Sequence, residues 1–313
     1  MQDFLVQKFG GTSVGYPERL VSLKDIVLKY SSEITPILVV SAVSGSTKKE
    51  GTTSLLLESI ESACKGAPYN ELLRKIRSPH IRLIEEVIGS EGGQFISYLD
   101  SELSKLDSFL SAISTIGEKS SRSLDYVLSF GEKLSAALVE YVLKHFSVSA
   151  RMVDLSVVFD SLEMQDYKNP YDEIAQKIVA RIQPRKGEVC VCTGYFGYLS
   201  GGILSHVGRG YSDLTAALIA RGLGSDKVKE LQIWKEVDGV FTADPKRVPD
   251  ARVLSEISAR EAVELTFFGS EVIHPHTMEQ VISKNIPIRV LNSLKPERSG
   301  TIIKRIVGGL LSK

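Results

Sequence analysis

Cysteine is scarce: three residues cannot build a disulfide framework. Cys190 and Cys192 sit two apart in an apolar run, and neither a C-x-x-C nor a histidine at ligand spacing accompanies them, so they read as small buried hydrophobes. No excess of either charge exists, with 38 basic against 38 acidic side chains. That balance excludes a binder that grips nucleic acid through a basic face. It leaves room for a small anion held by a few placed cations. Apolar runs such as Ile37–Val40 are far shorter than the ~20 residues of a membrane span. The opening Met1-Gln2-Asp3-Phe4-Leu5-Val6 has no basic stretch and no long apolar stretch, so no signal peptide is expected and the chain reads as cytoplasmic. Fixed-period repeats and low-complexity tracts are also missing.

What is present is a short β-rich run followed by a helical pattern, several times over. Strands are predicted at Leu5–Phe9, Ile37–Val40, Ser149–Val153, Val189–Thr193, Leu231–Trp234 and Ile286–Leu291. Helices are predicted at Pro17–Tyr30, Tyr171–Ile182, Asp213–Arg221, Ala259–Phe267 and Thr277–Lys284. From Thr53 to about His145 the pattern is mostly helical, with breaks near Pro68, Pro79 and Gly92-Gly93. Continuous apolar strands alternating with helices imply a mostly parallel sheet covered on both faces. Ligands in such folds bind at the carboxyl ends of strands. The informative loops are therefore Gly10–Ser13, Ser41–Thr47, Thr193–Gly197 and Val237–Asp244.

In Lys8-Phe9-Gly10-Gly11-Thr12-Ser13-Val14-Gly15, paired glycines after a strand either cradle phosphate oxygens with successive N–H groups or simply turn tightly. Tyr16 and Pro17 stand where a Walker A loop needs Lys and Ser/Thr, and no G-x-G-x-x-G occurs. In Gly208-Arg209-Gly210-Tyr211-Ser212-Asp213, Ser212 or Asp213 is a natural N-cap. Arg209 between two glycines at a helix start suits a carboxylate or phosphate. In Ser129-Phe130-Gly131-Glu132, Gly131 costs ~1 kcal/mol in a helix relative to Ala, which suggests a close approach. Glu132 is either solvated or the recogniser of an ammonium group. The turns of Val237-Asp238-Gly239 and Asp244-Pro245 precede Lys246 and Arg247, cations that reach phosphates or only decorate a hairpin. His274 and His276 have poor zinc spacing and read as structural.

Taken in order, Lys-Phe-Gly-Gly-Thr-Ser at 8–13, Ser-x-Gly-Glu at 129–132, Gly-Arg-Gly-x-Ser-Asp at 208–213, Val-Asp-Gly-x-x-Thr-x-Asp-Pro at 237–245 and Gly-x-x-Val-x-His-Pro at 269–275 resemble the aspartokinases of the amino-acid kinase family. The resemblance implies a three-layer α/β sandwich with about eight mostly parallel strands. It implies ATP-dependent phosphorylation of the β-carboxylate of L-aspartate, the first step toward lysine, threonine and methionine. Residues 1–205 would hold the amino acid and 206–305 the nucleotide. Lys8 would stabilise charge on the transferring phosphoryl group, oriented by Asp213. Gly10, Gly11, Thr12 and Ser13 would hold phosphates; Arg209 would pair with the α-carboxylate of aspartate and Glu132 with its α-ammonium. Ser41, Thr47 and Ser212 would complete the aspartate site, and Lys235, Glu236, Phe241 and Lys246 the nucleotide site. Mg²⁺ would arrive on the triphosphate, with no dedicated protein ligands. The implied partners are small substrates, not nucleic acid or membrane, with a homodimer allowed.

Three residues depart from the family pattern. Tyr211 replaces a common second glycine and would crowd the aspartate loop; Lys235-Glu236 stand where Thr-Asp is frequent; Glu271 stands where a phosphate-reaching lysine is frequent. Aspartokinases usually continue into paired ACT domains, whereas only a tail, 306–313, follows the last strand here. The expectation is therefore no ACT domain and no feedback inhibition by lysine or threonine.

Overall fold

Two runs of six buried residues, β1 (Phe4–Phe9) and β2 (Thr35–Val40), form the centre of the sheet, because only a strand covered on both faces buries every side chain in succession. The computed structural model describes residues 2–45, 47, 50–158, 170–197, 210–245, 247–267 and 273–305. The remaining strands are β3 (Ala150–Val153), β4 (Val189–Thr193), β5 (Val228–Lys235), β6 (Glu256–Ser258), β7 (Ile288–Asn292) and β8 (Thr301–Lys304). They make one eight-stranded sheet in the order β3-β4-β2-β1-β5-β7-β8-β6. All pairings are parallel except β7 with β8. The sheet grows outward from β1 in two directions, with β2 on one side and β5 on the other, so β1 ends at a topological switch point.

The helices are α1 (Pro17–Ser31), α2 (Thr52–Cys64), α3 (Asn70–Ile88), α4 (Gly93–Ile116), α5 (Ser121–His145), α6 (Pro170–Ile182), α7 (Tyr211–Leu223), α8 (Ala259–Phe267) and α9 (Pro275–Ile282). α5 packs on β2, β3 and β4, while α7 packs on β1, β2 and β5. The predicted fold class, a mostly parallel sheet between helices, holds. β7 matches the strand predicted at Ile286–Leu291, whereas β6 and β8, and so the antiparallel β7–β8 pairing, were not predicted. With three and four residues, β6 and β8 are too short to show a period.

Pro79 does not break the chain as predicted: α3 runs through it. Leu72, Ile76, His80, Leu83, Ile84 and Ile88 form one buried stripe, and that packing outweighs the missing backbone donor. His80 is a cost within the stripe. Its Nδ1 donates to the Ile76 carbonyl at 2.8 Å, and its buried Nε2 has no partner among the described residues. Burial lowers its pKa to about 4 from 6.5. The unfolded chain therefore takes up a proton that the folded one refuses. This contribution to stability is complete above pH 6.5 and is lost, by about 3 kcal/mol, as pH falls toward 4. His80→Leu is expected to remove that loss, so that in urea titrations across pH 4–7 the variant gains stability relative to the parent as pH falls; a difference that does not change with pH would rule it out.

Candidate active site

Lys8, next to last in β1, extends its ammonium to Asp213 in the first turn of α7, with Nζ 2.7 Å from Oδ1. Both residues are buried. Burial pushes the Asp213 carboxyl up, but the Lys8 and Lys235 cations more than offset this and hold it below the usual carboxylate range. Ser41, immediately after β2, shares a 2.7 Å hydrogen bond with Ser212 of α7. Glu132 arrives from α5. Its Oε1 accepts from the Ala42 backbone N–H at 3.2 Å and from the Tyr211 hydroxyl at 2.6 Å. Its Oε2 is buried and has no partner among the described residues. Burial pushes the Glu132 carboxyl up to about 7, against those hydrogen bonds and the Lys8 cation.

Missing side chains allow this convergence. A Cβ on Gly131 would lie 2.8 Å from the Ala42 Cβ, so the close approach expected there is made by the loop after β2. A Cβ on Gly194, just past β4, would lie 2.6 Å from the Ser212 Cβ and 2.8 Å from the Val40 carbonyl. A Cβ on Gly11 would collide with the Ala42 carbonyl. Gly10 differs from these three. Among the described residues a Cβ there would meet only Lys8 Nζ, at 4.0 Å, so open space adjoins a buried cation. The neighbouring turn is tied to both flanks. Ser13 Oγ is 3.2 Å from Ser293 Oγ, and Arg19 donates to the Thr12 carbonyl at 3.0 Å while pairing with Glu236.

A buried ion pair, an open glycine flank and an unpartnered carboxylate oxygen thus meet at the carboxyl ends of parallel strands. A family model described as "Amino acid kinase family" matches residues 3–292. The chain belongs to the amino acid kinase family. It is 41% identical over 309 residues to the aspartokinase of Schizosaccharomyces pombe, a match covering 96% of this chain and 58% of that protein. Aspartokinase III of Escherichia coli, in complex with lysine and aspartate, superposes with a TM-score of 0.80 at 27% identity, covering 98% of this chain and 66% of that one. The same enzyme with aspartate and ADP gives 0.76 at 28%, with the same coverage. The chain spans a little over half the length of the curated relatives it matches.

Lys8, Glu132, Ser212 and Asp213, all buried, and the half-buried Ser41 fall within one cluster, and its contacts join a residue before 205 to one after it or to the loop after β2. Gly10, Gly11, Thr12 and Ser13 border it. Lys235 ends β5 and acts on Asp213 through its charge. Glu236 is engaged by Arg19. Phe241 lies in an antiparallel bridge with Val253. Thr47 is not drawn in: it is exposed, and its hydroxyl donates to Glu50 at 2.8 Å. Arg209, Lys246 and Glu271 lie outside the described residues. The N-cap prediction for Ser212 or Asp213 fails, because α7 starts at Tyr211 with Gly210 as its N-cap. Both side chains instead leave their own helix end for Ser41 and Lys8. His274 is structural as predicted: it caps α9 by accepting from the His276 N–H.

Sequence reasoning selected the loops that hold Ala42 and Gly194 without singling out either residue, and it missed the role of the Tyr211 hydroxyl. For Gly194 a signal existed, a glycine directly after the wholly buried Val-Cys-Val-Cys-Thr of β4. Tyr211 was expected to crowd the loop. It packs into the core, edge-on to Tyr195 at 5.5 Å and 79°.

Proposed function

We propose that the chain is an aspartokinase catalytic unit, which uses ATP to phosphorylate the β-carboxylate of L-aspartate. The observation that carries this reading is the unpartnered, buried Oε2 of Glu132 within the cluster that also buries the Lys8–Asp213 pair. An orphaned buried acceptor costs about 1–3 kcal/mol, which an ammonium group would relieve. A carboxylate acceptor is already ionised at pH 7, so the reaction needs no strong base. It needs two anions aligned and their charge neutralised.

In this reading Glu132 receives the α-ammonium and Arg209 the α-carboxylate. Ser41 and Ser212 line the amino-acid site, with Thr47 on the same loop. Lys8, steered by Asp213, neutralises the transferring phosphoryl group. The open flank of Gly10 and the turn through Gly11, Thr12 and Ser13 suit phosphate oxygens. Lys235, Glu236, Phe241 and Lys246 belong to the nucleotide side, within 206–305. Mg²⁺ fits as a companion of the phosphates, held mainly by them and by water; among the described residues no cluster of potential metal ligands occurs.

Hydroxylamine converts an acyl phosphate to a coloured hydroxamate. With MgATP, signal is expected for L-aspartate and not for glutamate or N-acetylglutamate. Nucleotide binding without hydroxamate would overturn the reading in favour of a regulatory pseudokinase. Signal with N-acetylglutamate would point to a sister kinase.

A further inference from the structure

α7 begins two residues earlier than predicted, and the added residue with the largest side chain is Tyr211. The residue is 4% exposed and its hydroxyl donates to Glu132 Oε1 at 2.6 Å. Ala42 N–H donates to that same oxygen. One oxygen of Glu132 thus takes two protein donors, and the other takes none among the described residues. Turning the carboxylate out of this plane would break both bonds, and a half turn only exchanges its two equivalent oxygens, so one oxygen is always held and the other always presented. The phenol is itself fixed: Tyr195 stands edge-on against the ring, and the Thr53 side chain hydrogen-bonds the hydroxyl.

Ring packing alone would satisfy the fold here. A hydroxyl placed on a buried carboxylate does something further, because a phenolic O–H donates far better to the ionised than to the protonated acid. We infer that Tyr211 is a positioning residue for substrate recognition: it anchors Oε1 of Glu132 so that Oε2 is presented, ionised, to the ammonium group of the amino-acid substrate. This rests on the aspartate reading above. The position therefore adds an anchor that a glycine there would lack.

Burial drives Glu132 toward protonation near neutral pH, while the bonds from Tyr211 and Ala42 oppose it. Removing the phenolic donor should move the titration of Glu132 upward. The substrate would then meet a carboxyl that is more often neutral and less well oriented.

Tyr211→Phe keeps the ring and removes the donor. The expected result is a rise of about tenfold in the KM for aspartate at pH 7, with kcat and the KM for MgATP changed less than twofold. The acid limb of kcat/KM should shift to higher pH, so that the defect shrinks at pH 9, where Glu132 ionises in both proteins. A purely structural role would lower kcat and nucleotide affinity together and leave that limb in place. Carbon-13 carboxyl NMR of glutamate-labelled protein, with Glu132→Gln to assign the signal, reads the same coupling without turnover. The Glu132 titration should lie near pH 7 in the parent and higher in Tyr211→Phe. An unmoved titration together with an unchanged aspartate KM would overturn the inference. A parent protein that forms no hydroxamate from aspartate would instead overturn the aspartate reading, while the NMR titration would still decide the Tyr211–Glu132 coupling.

Discussion

Lys8→Ala is expected to reduce aspartyl hydroxamate formation by about a thousandfold, the scale seen when a cation serving a transferring phosphoryl group is removed. The geometry gives two separate reasons. The ammonium adjoins the open flank of Gly10, where among the described residues no other atom lies within 4 Å of a Cβ position. It is also held by Asp213 at 2.7 Å, so its position needs little reorganisation when charge develops. Stability should suffer as well. Asp213 would stay buried without its ion-pair partner, and breaking one side of a buried pair costs about 3–5 kcal/mol. The two effects can be separated with Lys8→Met/Asp213→Asn, which removes both charges. Urea titration of that double variant should recover most of the lost stability, whereas the hydroxamate signal should stay absent. Turnover near the parent level in Lys8→Ala would exclude the role assigned to this lysine.

The layout of the cluster was largely legible before any coordinates, because two simple regularities carry it. Fully apolar runs such as Val-Cys-Val-Cys announce buried parallel strands, and parallel strands place their ligands at their carboxyl ends. That rule alone selects the loops after β1, β2, β4 and β5. Glu132 obeys no such rule. It sits inside a 25-residue helix, and only the motif around it, not its periodicity, marks it out. What stayed illegible depends on pairing across long sequence distances. Ser212 and Asp213 look like helix caps locally, and become site residues because Ser41 and Lys8, 171 and 205 positions earlier, compete successfully for their side chains. Pro79 looks like a helix breaker until the stripe from Leu72 to Ile88 is seen packed. Tyr211 looked like an obstruction because no local pattern reveals that its hydroxyl meets Glu132, 79 positions away.

Glu132→Gln is expected to give a protein that is more stable than its parent above pH 7 and nearly inactive. The site pays for its function with a buried carboxyl whose pKa stands near 7 in the folded chain against 4.5 when solvated. A raised carboxyl pKa means that the folded state binds the proton more tightly than the unfolded state. Its penalty is therefore absent below about pH 4.5, grows as pH rises, and is complete above about pH 7, where it amounts to about 3 kcal/mol. Glutamine keeps a carbonyl oxygen for the Tyr211 and Ala42 donors and carries no charge, so the penalty disappears. It cannot neutralise an ammonium, and the loss of that pairing should raise the KM for aspartate by about 10²-fold or more. In the parent this dependence is hidden, since His80 loses stability on acidification across nearly the same interval in which Glu132 regains it. The clean measurement is thus made in the His80→Leu background. There, urea titrations from pH 4.5 to 8 should show stability falling with pH when Glu132 is present and flat when it is Gln. Equal slopes in the two proteins would mean that Glu132 carries no such penalty, and with it would go the argument that its unpartnered oxygen is kept for a ligand.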